Sequence, residues 1–245
     1  MIKIKIIYLQ KRKIIFIIIF NFLIFFSALI SKKVTSTPTS LNTIYTSADK
    51  IAYLTFDDGP TKKVTPKILD ILDKYNIKAT FFVLGSEVEK NPEILLRTYN
   101  SGHTIGNHGY SHNNSKLYAS KESFISEITK TDEAIGEVLN IENYHCNIFR
   151  FPNGSMSNSY HYEKQKAIKW LEEINYDYID WNVLNKDSER KYSNYQLLQN
   201  LKNTAKGKGC IVVLMHDTGD VNNTYDILEP SIEYLLSEGY TFKSL

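Results

Sequence analysis

Two adjacent carboxylates, Asp57 and Asp58, stand where an apolar run meets a Gly-Pro turn in "YLTFDDGP", residues 53–60. A carboxylate can ligate a cation or move a proton. On an extended strand neighbouring side chains face opposite ways, so the two cannot share one task while the chain stays extended. Each calls for its own partner elsewhere in the chain. Further along, His108 and His112 in "NHGYSH" are four residues apart, a spacing that predicts two imidazoles on one side of a helical turn. Two histidines with one carboxylate can hold a zinc-like ion and leave positions open for water. HxxxH alone is a weak signal, because surface or core histidines also produce it. Its weight comes from the carboxylate pair.

Short β-rich runs recur and must position these groups: "IAYLTF" (51–56), "ATFFVLG" (79–85), "HTIGNH" (103–108), "NIFRFP" (147–152), "YDYIDWNV" (176–183) and "CIVVLMH" (210–216). Apolar residues at helical spacing lie between them over 66–75 and 124–139, and further helices are expected at 161–174, 194–205 and 226–238. Strands alternating with helices predict an α/β fold of parallel βα units, closed into a barrel or left as an open sheet. Only six or seven strands are visible, too few for a complete eight-fold barrel. In either architecture ligands sit at the carboxyl ends of the strands. That rule gathers Asp57, Asp58, His108, Arg150, Asp180, Trp181 and His216 at one end.

The chain of 245 residues, 42% hydrophobic and 13% aromatic, is sufficient for one core. Residues 14–30, "IIFIIIFNFLIFFSALI", follow Lys3, Lys5, Lys11, Arg12 and Lys13. A cationic flank before such a run predicts an N-terminal membrane anchor or signal peptide over 1–30. No clean small-residue cleavage site follows, which favours a single-pass membrane protein with an extracellular catalytic domain; cleavage would make it secreted. Residues 31–47, rich in Ser and Thr, read as a stalk, and the domain is expected over 48–245. Taking the five N-terminal cations from the net charge of +2 leaves −3 for the remainder, which argues against nucleic-acid binding. Cys146 and Cys210 are expected as buried free thiols.

"TFDDGP" (55–60), "HGYSH" (108–112), "RFPNG" (150–154) and "LMH" (214–216), in this order, resemble the polysaccharide deacetylase family, also called the NodB homology domain or carbohydrate esterase family four. The resemblance runs from about Ile51 to the C-terminus. It implies a distorted, incomplete (β/α) barrel of about seven parallel strands. It also implies one divalent metal ion, with zinc expected, held by Asp58, His108 and His112. Asp57 matches the family's general base; Arg150, at the end of its strand, is expected to pair with Asp57 and hold it ionised and oriented, and His216 to protonate the departing amine. Trp181 and Leu214 match the apolar walls around the metal and the acetyl methyl. The backbone amide of Asn153 matches an oxyanion donor, at a position where many relatives have Tyr.

A second departure concerns His216. Many relatives read W-x-x-D-S-x-D after the fifth strand, the first Asp tuning the catalytic histidine, whereas this chain has Leu184 there in "WNVLNKD" (181–187). Either Asp187 or Asp180 substitutes, or His216 works without a carboxylate. The expected function is removal of N-acetyl groups from N-acetylglucosamine residues of a cell-wall polysaccharide, peptidoglycan ahead of chitin, poly-N-acetylglucosamine and O-acetylated xylan. The expected partners are that glycan and, through the N-terminal segment, the membrane. The rivals are a catalytically inactive glycan-binding module, which the full set of polar residues argues against, and a metal phosphoesterase, which usually needs a more carboxylate-rich site.

Overall fold

Strand β1 (Ile51–Asp57) sends Ala52, Leu54 and Phe56 to one face and Tyr53, Thr55 and Asp57 to the other, and the architecture follows from that alternation. The structure, a computed structural model, describes residues 41–218, 221–222 and 224–245. The other strands are β2 (Thr80–Val83), β3 (Thr104–Asn107), β4 (Ile148–Phe149), β5 (Asp177–Tyr178), β6 (Val183–Leu184), β7 (Ile211–His216) and β8 (Thr241–Lys243). All pairings are parallel, in the order β5-β4-β3-β2-β1-β7-β6, with β8 also on β1. This is the expected incomplete barrel, a curled half-barrel of seven parallel strands with β8 as an addition absent from the sequence reading.

The helices are α1 (Thr65–Lys74), α2 (Gly85–Lys90), α3 (Pro92–Asn100), α4 (Asn114–Leu117), α5 (Lys121–Leu139), α6 (His161–Glu173), α7 (Asn194–Ala205) and α8 (Tyr225–Ser237). The five long ones fall where helical spacing placed them, and local chemistry fixes their ends. Ser120 accepts the Ser123 N–H at the start of α5, which stops at Asn140 in a left-handed conformation; Ser193 and Gln196 form a capping box on α7. Their apolar stripes pack on one face of the sheet around Leu54, Phe56, Phe81, Phe149, Val213 and Met215. Inside the curl, Phe82, Ile148, Ile179 and Val212 pack with Ile44, Tyr45, Tyr53, Trp181 and Leu245 and fill the space beneath the carboxyl ends of the strands.

Residues 176–183 read as one strand, but the chain divides there into β5 and β6, which lie at opposite edges of the sheet. Four residues, 179–182, join them. Five Cα steps span at most about 18 Å, so the two edges are forced towards each other and the sheet curls. No backbone ladder closes the gap among the described residues. The fully buried Arg150, just after β4, ties the linking segment to the sheet instead, donating from Nε to the Ile179 carbonyl (3.2 Å) and from Nη2 to the Asp180 carbonyl (3.2 Å).

The expectation of a single-pass membrane protein is corrected. Among the described residues no helix is long and apolar enough to cross a membrane, and the segment 1–30 on which that expectation rested lies outside the described residues. Membrane association and a transmembrane helix are therefore not carried forward. Of the expected stalk, 31–40 also lies outside, while Leu41–Thr46 forms a 3-10 helix whose Ile44 and Tyr45 join the inner cluster. Cys146 and Cys210 are buried and unpaired.

Candidate active site

The puzzle of the adjacent carboxylates is resolved by one backbone angle. Asp57 ends β1 facing the inside of the curl, in register with His216 of β7. Asp58 has φ +80°, a left-handed conformation unusual for a side-chain-bearing residue, which turns its carboxylate back to the same cavity. That cavity, about 340 Å³, is lined by every site residue expected from the sequence except Arg150: Asp57, Asp58, His108, His112, Asn153, Trp181, Leu214 and His216. Arg150 is fully buried and touches Asp57.

Asp58, His108 and His112 present one ligand atom each within 4.8 Å of one another. Asp58 Oδ1 lies 3.3 Å from Nε2 of both histidines, is buried and has no hydrogen-bond partner. The Arg150 carbonyl can only accept, so its 2.7 Å contact makes Nδ1 of His108 the N–H and leaves the Nε2 lone pair facing Asp58. Burial opposes charge on Asp58, but the His108 imidazole outweighs it and holds the carboxyl well below the usual range. Burial likewise works against a charged His108, yet Asp57 and then Asp58 raise it, whereas burial wins at the more exposed His112 and lowers it. A buried orphan carboxylate oxygen facing the His108 lone pair and the His112 Nε2 fits a divalent cation. The helical turn expected for HxxxH is not formed. The two histidines sit at the start and end of a loop with Gly109 at φ +85° and His112 at φ +53°, which helical repetition does not allow.

Arg150 Nη1 donates to Asp57 Oδ1 (2.9 Å) and Thr55 Oγ1 (2.6 Å), so the expected partner of Asp57 is in place and fixes its orientation. His216 faces Asp57 across the β1–β7 pairing, and its Nδ1 lies 2.7 Å from Asp187 Oδ1. Asp187 also accepts the His216 backbone N–H (2.8 Å) and the Thr224 hydroxyl. Of the alternatives left open by Leu184, the structure selects Asp187. Burial lowers the His216 value, but the bond and charge of Asp187, with Asp57 and Asp58 behind them, raise it from 6.5 to about 9.

Asp180 does something else. It accepts the Ser155 N–H (2.9 Å) and Ser155 hydroxyl (2.5 Å), securing the loop that carries Asn153. From the other side Lys164, buried on α6, donates to the carbonyls of Pro152 (3.1 Å) and Gly154 (2.7 Å) and to Ser157 Oγ (2.6 Å). All three ammonium donors are used, and the carbonyls flanking Asn153 are tied away from the cavity. Asn153 and Gly154 follow each other in left-handed conformations, and a Cβ on Gly154 would come within 3.0 Å of Trp181. Lys164 was missed in the sequence, although a signal existed: it shares a buried face with Ala167 and Leu171, a charge within an apolar stripe. A larger cavity of about 580 Å³ lies beside the C-terminal half of α5, and its buried Asp132 is committed to Tyr176, Asn107 and His145.

A profile of the polysaccharide deacetylase family matches residues 45–169. A peptidoglycan-N-acetylglucosamine deacetylase of Bacillus cereus is 35% identical over 194 residues, covering 78% of this chain and 66% of that protein. The peptidoglycan-N-acetylglucosamine deacetylase PgdA of Listeria monocytogenes is 36% identical over 78% of this chain, which spans 37% of PgdA. The chain thus spans just under two thirds of the first relative and little more than one third of the second. In three dimensions it is similar to the catalytic domain of a peptidoglycan N-acetylglucosamine deacetylase from Eubacterium rectale, with a TM-score of 0.73 and 32% identity over 80% of this chain and 89% of that one.

Proposed function

The chain belongs to the polysaccharide deacetylase family, and on that premise we propose that it is a metal-dependent hydrolase removing N-acetyl groups from N-acetylglucosamine residues of a cell-wall polysaccharide, peptidoglycan first, outside the cell. The observation that carries the reading is the meeting of three units in one cavity: the Asp58, His108 and His112 ligand set, the Asp57–Arg150 pair and the His216–Asp187 pair. Two imidazoles and a carboxylate with further positions open suit zinc. A divalent ion there supplies Lewis acidity at the acetyl carbonyl and a water of lowered pKa.

The chain's own groups do the rest. Asp57, its second oxygen free of Arg150, takes the proton of the attacking water. The Asn153 N–H, on a loop held by Lys164 and Asp180, donates to the developing oxyanion. His216 gives its proton to the nitrogen as the C–N bond breaks, so that a neutral amine and acetate leave. Trp181 and Leu214 line the cavity and exclude water around the acetyl methyl. Peptidoglycan stands ahead of chitin, poly-N-acetylglucosamine and acetylxylan because the Bacillus and Listeria relatives are peptidoglycan deacetylases.

The test is acetate release by the zinc-loaded protein from purified peptidoglycan, chitooligosaccharides and acetylxylan, before and after exhaustive chelation. Chelator-sensitive release from the N-acetylated glycans supports the reading. Release from none of them, or release unchanged in a preparation shown to hold no metal, overturns it.

A further inference from the structure

The two histidines of the candidate metal site are held in different ways. His108 continues from β3, its ring anchored by the Arg150 carbonyl. Among the described residues, no hydrogen bond holds Nδ1 of His112, whose ring meets Asp58 and the His108 ring and whose side chain is 42% exposed. Its position must therefore come from the backbone of residues 109–112.

That backbone is pinned on two sides. The carbonyls of Gly109 and Tyr110 accept the N–H groups of Gly85 and Ser86 (3.1 Å each). The N–H groups of Tyr110 (3.0 Å) and Ser111 (2.8 Å) both donate to one oxygen, Glu127 Oε2, and the Ser111 hydroxyl reaches Glu127 Oε1 at 2.9 Å. Glu127 lies on α5, 7% exposed, on the face that also buries Phe124, Ile128 and Thr131. A carboxylate on an apolar helix face is costly unless fully bonded, and here its acceptors are spent on the two peptides just before His112.

From this geometry we infer that Glu127 is a positioning residue for the metal site, doing through the loop backbone for His112 what the Arg150 carbonyl does directly for His108. Groups that orient a ligand set how much of the binding free energy is lost in ordering it, and removing such a group typically weakens metal affinity about 10–100-fold. The inference rests on the metal-site reading above.

Zinc affinity of the full chain, measured by competition with a chromophoric chelator at fixed pH, tests it together with thermal melts. Glu127→Ala should weaken zinc binding about 10–100-fold. Glu127→Gln, whose carbonyl oxygen can still take both amides and whose NH₂ can donate to Ser111 Oγ, should stay within about threefold of the parent. Glu127→Asp, shorter by one methylene, should fall between them, and it serves as the test if the Ala variant does not fold. A folded Ala or Asp variant that binds zinc as tightly as the parent, with only its melting temperature lowered, reduces Glu127 to a structural role and overturns the inference. A parent chain that binds no zinc overturns the metal-site reading itself and this inference with it.

Discussion

Replacing Asp187 by Asn should leave an enzyme that works normally in mild acid and fails progressively as pH rises. The His216 imidazole is raised from 6.5 to about 9. Burial is the largest influence and acts downward; the hydrogen bond and charge of Asp187 lead those acting upward. With that charge gone the ring should return to its ordinary value near 6.5 or below. At pH 8 a pKa of 9 leaves about 90% of His216 protonated and a pKa of 6.5 about 3%, so kcat/KM should drop roughly 30-fold. Well below both values His216 is protonated in either protein, and the same change should cost little. A bound cation lowers both values, so both basic limbs move to lower pH, the loss at pH 8 becomes at least this large, and the separation between the limbs is retained. Asn can still accept the His216 N–H (2.8 Å) and the Thr224 hydroxyl, so the fold should tolerate the change. The assay is acetate release from chitooligosaccharide between pH 5.5 and 9.5 at saturating zinc. An equal loss at every pH, or a basic limb that does not move, would refute the assignment of His216 as the acid tuned by Asp187.

Asp58→Asn should weaken zinc binding, whereas Asp57→Asn should retain zinc yet lose about two or more orders of magnitude in turnover; equal metal loss in both, by metal analysis, would contradict the division of labour. Lys164→Met keeps the stem but strips the donors from the Pro152 and Gly154 carbonyls. Because it loosens the proposed oxyanion donor, the Asn153 N–H, without deleting it, kcat should fall about tenfold with KM within about twofold, and initial-rate kinetics in which only KM moves would exclude that role. His103, buried with Nδ1 accepting the Ala79 N–H, is pushed by burial from 6.5 down to about 4. Above pH 6.5 neither state binds its proton; below, the unfolded chain does first, so the metal-free protein should lose stability as pH falls from 6.5 to 4, by up to roughly 3 kcal/mol. Denaturant melts of His103→Gln should show a correspondingly shallower acid loss, and an identical slope would rule the residue out.

What could be read from the sequence was what short-range periodicity encodes. Period two on β1 and β7 puts Asp57, Leu214 and His216 on the inner face, and the five long helices have apolar stripes and caps that fix them locally. What could not be read depends on contacts distant in sequence. The run 176–183 looks like one strand because each half is β-rich, yet Val183 pairs with Val213 and Tyr178 with Phe149 at opposite edges. The four-residue spacing of His108 and His112 suggested a helix, but Gly109 and His112 are left-handed, in a loop whose Tyr110 and Ser111 amides are held by a carboxylate sixteen residues beyond Ser111. At Leu184 the pattern was legible only as a gap. Asp187 fills it because Lys186 at φ +69° turns the chain back towards β7.

Arg150 shows why fold and chemistry are hard to separate in this molecule. A half-barrel whose edge strands are two residues long has little ladder with which to hold its curl. One guanidinium spends Nε and Nη2 on the carbonyls of the segment crossing between those edges, and Nη1 on Thr55 and Asp57. Its own backbone N–H donates to Asn107 and its carbonyl accepts from His108. The residue that ties the linker to the sheet therefore also orients Asp57, the proposed base, and sets the tautomer of a candidate metal ligand. A lysine, a point charge with three donors, cannot replace a planar fork at such a junction. The bonds that hold the linker against the sheet are therefore also bonds that preorganise the cavity.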